Sequence, residues 1–285
     1  MLLQPYTLDE LSFAWSSRIY VRSRTWRRKP APWLASLDSG TLNALLEPYH
    51  VKILEFNADS VSFRAIASLQ IQERISSAVS KLKGRISKWL SAQSPEPHAE
   101  RCLGRGYFAV TTGKSSADGV LQYLERQGQH HGYDQRPRPP VYVKAFERTK
   151  GTEDWLATDH AVTSIRFHIV LATQRRHGVF GETSGMAVAD RWKAIEKANR
   201  IWIAKVSFVP DHVHIAVEMH PDVSPAEVAL NLMNEAQELM WETFSYSVIE
   251  AKLSQLWQAS AYLGSYGDLT SSALSSYVRR WEQTD

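Results

Sequence analysis

The sequence predicts an α+β protein in which one ferredoxin-like unit, a split βαβ, occurs twice. Two similar segments, residues 57–63 and 209–215, lie 152 positions apart in matching surroundings. A tyrosine follows much later in each copy, Tyr123 and Tyr277, with an offset of 154 positions. A nearly constant offset over several landmarks indicates duplication followed by fusion.

The spacing of apolar residues predicts the elements of the first copy. Ile75, Val79 and Leu82 recur every three or four positions, which is typical of one helix face. The predicted order is a strand over 13–25, a short helix over 39–47, a hairpin of 51–56 and 60–65, a long helix over 71–92, a strand over 106–112, and a helix that carries Tyr123.

The second copy repeats this order. Residues 224–227, Ser-Pro-Ala-Glu, form a capping box with proline at the first helical position, so a helix begins there. The predicted elements are a strand over 165–173, a helix over 187–199, a hairpin of 202–208 and 212–219, a helix over 224–244, a strand over 261–266 and a helix over 271–281. Both copies therefore follow the order β-α-β-β-α-β-α.

The repeat divides the chain into two domains and a connection. We expect a first domain over 1–134, a linker over 135–160 and a second domain over 161–285, which suits a length of 285 residues. The proline-rich residues 136–140 cannot lie inside a helix.

Composition limits the compartment. Apolar residues make up 44% of the chain, enough for each domain to bury a core. The single cysteine, Cys102, cannot form an internal disulfide. The N-terminal residues lack the charged region and apolar run of a signal peptide, and no stretch approaches the roughly 20 apolar residues of a membrane span. We expect a cytoplasmic protein without membrane contact.

Charge is divided unequally along the chain. Residues 1–150 contain 22 lysines and arginines against 13 aspartates and glutamates, whereas residues 151–285 contain 11 against 17. A polyanion is therefore expected to meet the first half. A random fluctuation between two solvated surfaces is the alternative explanation.

Two histidines are candidates for a metal site. His212 and His214 are two positions apart on a predicted strand, so both side chains project from one face and can bind one divalent ion. Taken alone, such a pair is more often two surface histidines that bind no metal. The first copy has Ser60 and Ser62 in the similar segment, and these hydroxyls would hold a metal poorly. The sequence thus favours one metal site in place of two.

Several motifs together carry a family resemblance. Residues 209–216 read Val-Pro-Asp-His-Val-His-Ile-Ala, residues 82–89 read Leu-Lys-Gly-Arg-Ile-Ser-Lys-Trp, and residues 123–127 read Tyr-Leu-Glu-Arg-Gln. The first strands end in Thr-x-Arg-Arg, at 25–28 and 173–176. This set resembles the HUH-type single-tyrosine transposases, which include small insertion-sequence transposases and REP-associated tyrosine transposases. The resemblance covers nearly the whole chain, in two copies.

The resemblance implies two HUH-nuclease domains fused as an internal pseudodimer, monomeric or further dimerised. It implies a tyrosine that attacks single-stranded or hairpin DNA and forms a 5′-phosphotyrosine, with Mg²⁺ or Mn²⁺ held by His212, His214 and Gln127. Because family dimers can share a site between subunits, we expect Tyr123 to serve the histidines of the second copy. Tyr277 remains the alternative, as a vestigial residue or as a nucleophile from within the second copy.

Basic residues of the first copy are expected to touch the DNA backbone. They are Arg24, Arg27, Arg28, Lys81, Lys83, Arg85 and Lys88. A solvated helix face is the alternative for the four on the long helix. Trp26 and Trp89 would stack on unpaired bases or pack in the core.

Three functions compete. The favoured one is a transposase that nicks and joins single-stranded DNA. The second is a domesticated DNA-binding protein that recognises hairpins without chemistry. A replication-initiation nuclease or relaxase uses similar chemistry, but the order of motifs along the whole chain favours a transposase.

Overall fold

A computed structural model of the chain describes residues 4–93, 102–127, 142–268 and 270. Ten strands in this part form one mixed sheet, with helices packed on it. The strands are β1 (Ser12–Ser16), β2 (Arg18–Arg24), β3 (Lys52–Ala58), β4 (Ser62–Ser68), β5 (Tyr107–Thr112), β6 (Tyr142–Ala145), β7 (Ala161–Thr173), β8 (Ile201–Val209), β9 (His212–Met219) and β10 (Trp257–Tyr266). The helices are α1 (Ser39–Leu46), α2 (Ile75–Gln93), α3 (Ala117–Glu125), α4 (Thr152–Leu156), α5 (Glu182–Ala194), α6 (Glu196–Asn199), α7 (Pro225–Thr243) and α8 (Ser245–Glu250).

The sheet contains the same strand order twice. The first copy is arranged β3-β4-β2-β5, and the second is arranged β8-β9-β7-β10. In each copy the hairpin lies beside the first strand, and the last strand lies on the other side. The repeated order predicted from the sequence is therefore present as repeated strand pairing.

The two copies meet through two equivalent parallel pairings. β5 pairs with the start of β7, where Tyr107 faces Ala161, and β1 pairs with β10, where Phe13 faces Ala261. The same offset of 148 positions separates Phe13 from Ala161 and Arg18 from Arg166. The amide of Arg18 donates to Ser265 Oγ, and the amide of Arg166 donates to Thr111 Oγ1. The junction is thus symmetrical in its hydrogen bonds.

Two glycines allow the last strands to cross at this junction. A Cβ added to Gly113 would lie 2.1 Å from the carbonyl oxygen of Ser265, and one added to Gly267 would lie 2.0 Å from that of Thr111. Bridges join Gly113 to Thr270 and Ser116 to Gly267. Since no side chain fits in either space, the crossing requires glycine at both positions.

Helices α2 and α7 cover the face of the sheet opposite the histidines, whereas α3 lies on the histidine face. The buried side chains of α2, including Ile75, Val79, Leu82 and Ile86, follow the predicted spacing and pack into the main core. Helix α7 begins at the predicted capping box, where Ser224 Oγ accepts from the amide of Glu227 at 3.2 Å. One apolar cluster runs through both copies.

Several predicted elements differ from the observed ones. The strand over 13–25 is interrupted at Ser17, which lets β1 pair with β10 and β2 with β4. The helix over 187–199 begins earlier, at Glu182, and is divided into α5 and α6. Residues 142–145 of the predicted linker form β6, which pairs with β8, and α4 follows. The predicted helix over 271–281 lies outside the described residues.

The register also corrects the alignment of the two hairpins. Ala58 faces Phe63 in the first copy, and Phe208 faces Val213 in the second, so the offset here is 150 positions and not 152. The positions equivalent to His212 and His214 are Ser62 and Arg64, which face Arg24 and Arg22. The sequence comparison matched the loop residues Asp59 and Asp211 and thereby shifted the hairpin by two positions.

No helix among the described residues has both the length and the apolar character that crossing a membrane would need.

Candidate active site

β9 places the two histidines on one face of the sheet. His212 and His214 are 3% and 5% exposed, and their ring centroids are 5.0 Å apart. The intervening Val213 is fully buried and belongs to the main core. In the register, His214 lies between Val170 of β7 and Ser207 of β8. The alternation of the strand thus produces the predicted common face.

Asp211 and Arg176 hold the ring of His212. The Nδ1 atom of His212 lies 2.7 Å from Asp211 Oδ1, and Asp211 Oδ2 lies 2.7 Å from Arg176 Nε. Nη2 of Arg176 also lies 3.3 Å from Nδ1 of His212, but the contact with the carboxylate, which only accepts hydrogen bonds, is the shorter one and favours a proton on Nδ1. A metal ion would then be bound through Nε2, which is the arrangement found where a carboxylate orients a metal-binding histidine.

A third histidine, which the sequence interpretation missed, adjoins the pair. His168 of β7 lies with its Nε2 atom 3.0 Å from Nδ1 of His214, and the two rings are stacked with centroids 5.2 Å apart. Burial lowers the pKa of His168 to about 4, so the imidazole is neutral near pH 7. One of the two nitrogens in contact donates and the other accepts. The only signal for His168 in the sequence was its place on the first strand, which pairs with the histidine hairpin.

Tyr123 reaches these histidines from the other copy. Helix α3 follows β5 of the first copy but packs on β8 and β9 of the second. The Tyr123 ring stands edge-on to His214 and His168, with centroid distances of 5.5 and 6.0 Å. Its side chain is 37% exposed, so it also faces solvent.

Apolar contacts and one ion pair fix α3 in this place. Val120 and Leu124 are buried against Ala216 and Tyr266 of the second copy. An ion pair joins Glu125 at the end of the helix to Lys205 of β8. After the crossing at Gly113 and Gly267, the chain enters α3 on the histidine face of the second copy. Ser116 caps this helix, because its side chain accepts a hydrogen bond from the amide of Gly119.

Gln127 follows Tyr123 by one helical turn and is fully buried. Its Nε2 atom donates to the carbonyl oxygen of Tyr123 at 2.9 Å, while its Oε1 atom is buried with no hydrogen-bond partner in the structure. A buried amide oxygen without a partner is costly unless a ligand is bound, and amide oxygens are suitable ligands for Mg²⁺ or Mn²⁺.

The described part of the chain contains no group of three or more histidine, cysteine, aspartate or glutamate side chains able to hold a metal ion. A metal bound by His212 and His214 would therefore need a ligand of another kind, and the amide of Gln127 is of that kind. The donor set of two imidazoles and one amide fits a divalent ion. Tyr277, the alternative nucleophile, lies outside the described residues.

The predicted DNA-binding residues of the long helix lie along α2 with partners within the protein. Lys81 pairs with Glu73 at 2.7 Å, and Arg85 stacks over Tyr49 at 4.5 Å from the ring centroid. Lys83 donates to the carbonyl oxygens of Arg105 and Gly106, and burial lowers its pKa to about 8. Lys88 is exposed on the same helix.

The other predicted basic residues lie where β2 ends. Arg24, Arg27 and Arg28 are exposed. Arg27 and Arg28 have φ of 51° and 55°, and Arg175 and Arg176 after β7 repeat this left-handed turn with 56° and 60°. Residues other than glycine rarely adopt this backbone conformation without strain. Both copies nevertheless have it, so the turn is a feature that they share. Trp89 packs against the main core, and Trp26 is half-buried beside Arg27.

Comparison with known proteins gives a family. The family model described as "Transposase IS200 like" matches residues 39–127 and 161–281, which is one match in each copy. These segments make up more than half of the chain. The chain therefore belongs to the IS200-like transposase family.

Solved structures add little to this assignment. A protein of Deinococcus radiodurans R1, provisionally described as a transposase, is 19% identical with a TM-score of 0.35, and the match covers 45% of this chain and 94% of that one. A protein provisionally described as a glycine cleavage system transcriptional repressor is 8% identical with a TM-score of 0.19, and the match covers 88% and 97% of the two chains. No curated protein matches the chain.

Proposed function

We propose that this protein is a metal-dependent transposase that nicks and joins single-stranded DNA at a single composite site. The observation that carries the proposal is the position of Tyr123, on a helix of the first copy, against His214 and His168 of the second. A solvent-accessible phenol beside buried imidazoles suits attack on a phosphodiester. The family to which the chain belongs supports the same class of reaction.

In the proposed reaction, Tyr123 attacks a phosphorus atom of DNA. The bond from its Oη atom to phosphorus forms as the bond from phosphorus to the 3′-oxygen breaks. The phenol gives up a proton and the departing 3′-oxygen takes one up, which leaves a 5′-phosphotyrosine and a free 3′-hydroxyl. Reversal with a different 3′-hydroxyl joins two DNA ends without another energy source.

A phenol is a weak nucleophile near neutral pH, so the site must position it. His212, His214 and Gln127 would hold Mg²⁺ or Mn²⁺, which when bound would neutralise charge on the phosphate oxygens. Asp211 and His168 would keep the two ligand rings in one orientation. Helix α3 would hold the phenol beside the rings of His214 and His168.

The same arrangement supports the description of the protein as an internal pseudodimer of two ferredoxin-like HUH domains, over 1–134 and 161–285. The repeated strand order and the paired hydrogen bonds at the junction support it. Ser62 and Arg64 stand at the equivalent positions in the first copy, and neither offers a neutral nitrogen ligand. We therefore propose that the first copy has no metal site of its own.

Covalent trapping tests this function. The full chain would be incubated with Mg²⁺ or Mn²⁺ and single-stranded hairpin oligonucleotides from its native locus, and protein–DNA adducts would be resolved on denaturing gels. We expect the Tyr123→Phe variant to form no adduct. The Tyr277→Phe variant and the control Tyr246→Phe, at a tyrosine that is 76% exposed on α8, should form as much adduct as the wild type.

Two results would contradict this proposal in different ways. An adduct lost only in Tyr277→Phe would place the nucleophile in the second copy and exclude the shared site. Hairpin binding by the wild type without any adduct, with either metal, would favour the hairpin-binding protein without chemistry.

A further inference from the structure

The first copy has a groove of about 850 Å³ on the face equivalent to the candidate active site. Its walls come from β2 and β5, and Ser164, Gly267 and Asp268 of the second copy close one end. The residues of the groove that matter for binding are Tyr20, Arg22, Arg24 and Phe108. No part of the proposed reaction uses this groove.

The strand register shows what has replaced the active-site residues here. Tyr20 occupies the position of His168, and Arg64 occupies that of His214. Arg22 and Arg24 stand where the second copy has the apolar Val170 and Ala172. Guanidinium groups therefore stand in place of one imidazole and two apolar side chains, and the other two imidazoles are replaced by Tyr20 and Ser62.

Positive charge is concentrated on this face. Arg22 and Arg64 face each other directly on neighbouring strands, and like charges in such a pair destabilise a sheet. The Nε atom of Arg22 is buried without a hydrogen-bond partner in the structure. Of the carboxylates nearby, Asp268 is paired with Arg166.

Asp59 lies near Arg64 but already has partners. Burial tends to raise the pKa of Asp59, yet hydrogen bonds from Val61 and Ser62, together with the charge of Arg64, lower it overall. Its carboxylate is therefore ionised near neutral pH and directed to its own turn. Arg22 at the groove wall is left to meet an external anion.

Aromatic rings lie beside these arginines. Phe108 is 38% exposed, and its ring stands edge-on to the buried Tyr20 at a centroid distance of 6.1 Å. An exposed aromatic face next to guanidinium groups is the combination that binds unpaired bases and their phosphates. A double helix would not offer a base face to stack on Phe108.

We propose that this groove binds one unpaired nucleotide of single-stranded DNA, with the base on Phe108 and the phosphate at Arg22 and Arg24. The first copy would then hold the strand while the composite site acts on it, so the proposal rests on DNA being the substrate. It does not depend on metal or on the nucleophile.

The test measures binding without chemistry. Fluorescence anisotropy in EDTA would follow the full chain binding to a short oligonucleotide that forms no hairpin. The variant Arg22→Val, which introduces the residue of the second copy, should weaken binding about tenfold, the loss expected for one charged hydrogen bond. In Arg22→Val with Arg24→Ala, the slope of log Kd against log salt should fall by about 1.4, since each phosphate contact on a single strand contributes about 0.7.

Matched variants separate binding from folding. Arg191→Gln removes one charge from an ion pair with Glu235 on the second copy and should leave Kd unchanged. Tyr262 stands at the position of the second copy that is equivalent to Phe108. Phe108→Tyr introduces that residue and should bind normally, whereas Phe108→Leu should bind more weakly. Ultraviolet cross-linking of an oligonucleotide with 5-bromodeoxyuridine, mapped by mass spectrometry, should label Tyr20 or Phe108.

Unchanged affinity in the arginine variants, with cross-links mapped only outside the groove, would overturn the proposal. If residues 271–285 of the chain fill the groove instead, the same variants would lower Tm and leave the affinity for DNA unchanged, which also overturns it. Failure of covalent trapping would not affect either result, because this test contains no metal.

Discussion

At the scale of single residues, the two histidines of the motif depend on neighbours that the motif does not contain. Asp211 contacts Nδ1 of His212, and His168 contacts Nδ1 of His214, so each ring has a partner at its Nδ1 atom. The carboxylate favours the proton of His212 on Nδ1, whereas in the contact between His168 and His214 either nitrogen can be the donor. A short sequence motif gives the ligands of a candidate site but only part of their orientation.

The role of His168 gives a prediction. His168→Phe keeps an aromatic ring, as Tyr20 does at the equivalent position, but removes the hydrogen bond to His214. We expect the Mn²⁺ concentration for half-maximal adduct formation to rise by about 10–100-fold, the usual effect of losing a partner of a metal ligand. Hairpin binding in EDTA should not change.

The control for this substitution is His177→Phe, at an exposed histidine beyond β7. It should leave the Mn²⁺ requirement as it is. A His168→Phe variant with the Mn²⁺ requirement of the wild type would show that His168 only fills space beside His214.

The sequence predicted His212, His214 and Tyr123 because each lies in a recognisable local pattern. It could not predict His168, because the 46 positions between it and His214 give no information about register. It also misplaced the first-copy counterparts of the histidines. Loop residues resemble each other through turn chemistry, and only strand pairing distinguishes a shift of two positions.

At the scale of elements, periodicity predicted the strands and long helices well and their connections poorly. α2 and α7 were expected because their buried residues repeat at helical spacing and α7 has a capping box. The interruption at Ser17 was not expected, since both parts of that strand have the same local character. It is determined by the pairing of β1 with the other copy, which is a long-range contact.

The crossing of the last strands gives a prediction at this scale. Gly113→Ala should lower Tm clearly, because its Cβ would meet the Ser265 carbonyl oxygen at 2.1 Å and backbone atoms cannot easily move aside. Gly84→Ala is the matched control: this glycine lies inside α2 with no atom within 4 Å of the added Cβ. We expect it to stabilise the protein by about 0.5–1 kcal/mol.

Thermal unfolding followed by circular dichroism would measure both variants. If Gly113→Ala is as stable as the wild type, the two strands do not cross as closely as described, and the path of the chain from β5 into α3 would need revision. Gly267→Ala, at the equivalent position, should behave as Gly113→Ala does.

At the scale of the whole molecule, duplication allows one copy to specialise. The second copy retains the imidazoles, while the first contributes α3 and carries arginines on its equivalent face. Among the described residues, the histidine pair lies in the second copy and Tyr123 in the first. The mixture of strands and helices and the repeated strand order could be predicted from the sequence. The single continuous sheet could not, because it depends on edge pairing between β5 and β7 and between β1 and β10.

A site divided between copies of one chain leads to the last prediction. Two full-length variants, Tyr123→Phe and His212→Ala with His214→Ala, should each form no adduct with hairpin DNA. Mixed in equal amounts, they should still form none, since α3 is anchored to the second copy of its own chain by the crossing glycines and the Glu125–Lys205 ion pair. Exchange between chains would require breaking the sheet at both junctions.

The control mixes the wild type with a variant that carries all three substitutions, Tyr123→Phe, His212→Ala and His214→Ala. This mixture should give adduct in proportion to the amount of wild type. Recovery of adduct in the mixture of single-defect variants would mean that chains exchange helices, and the site would then belong to a dimer of this protein.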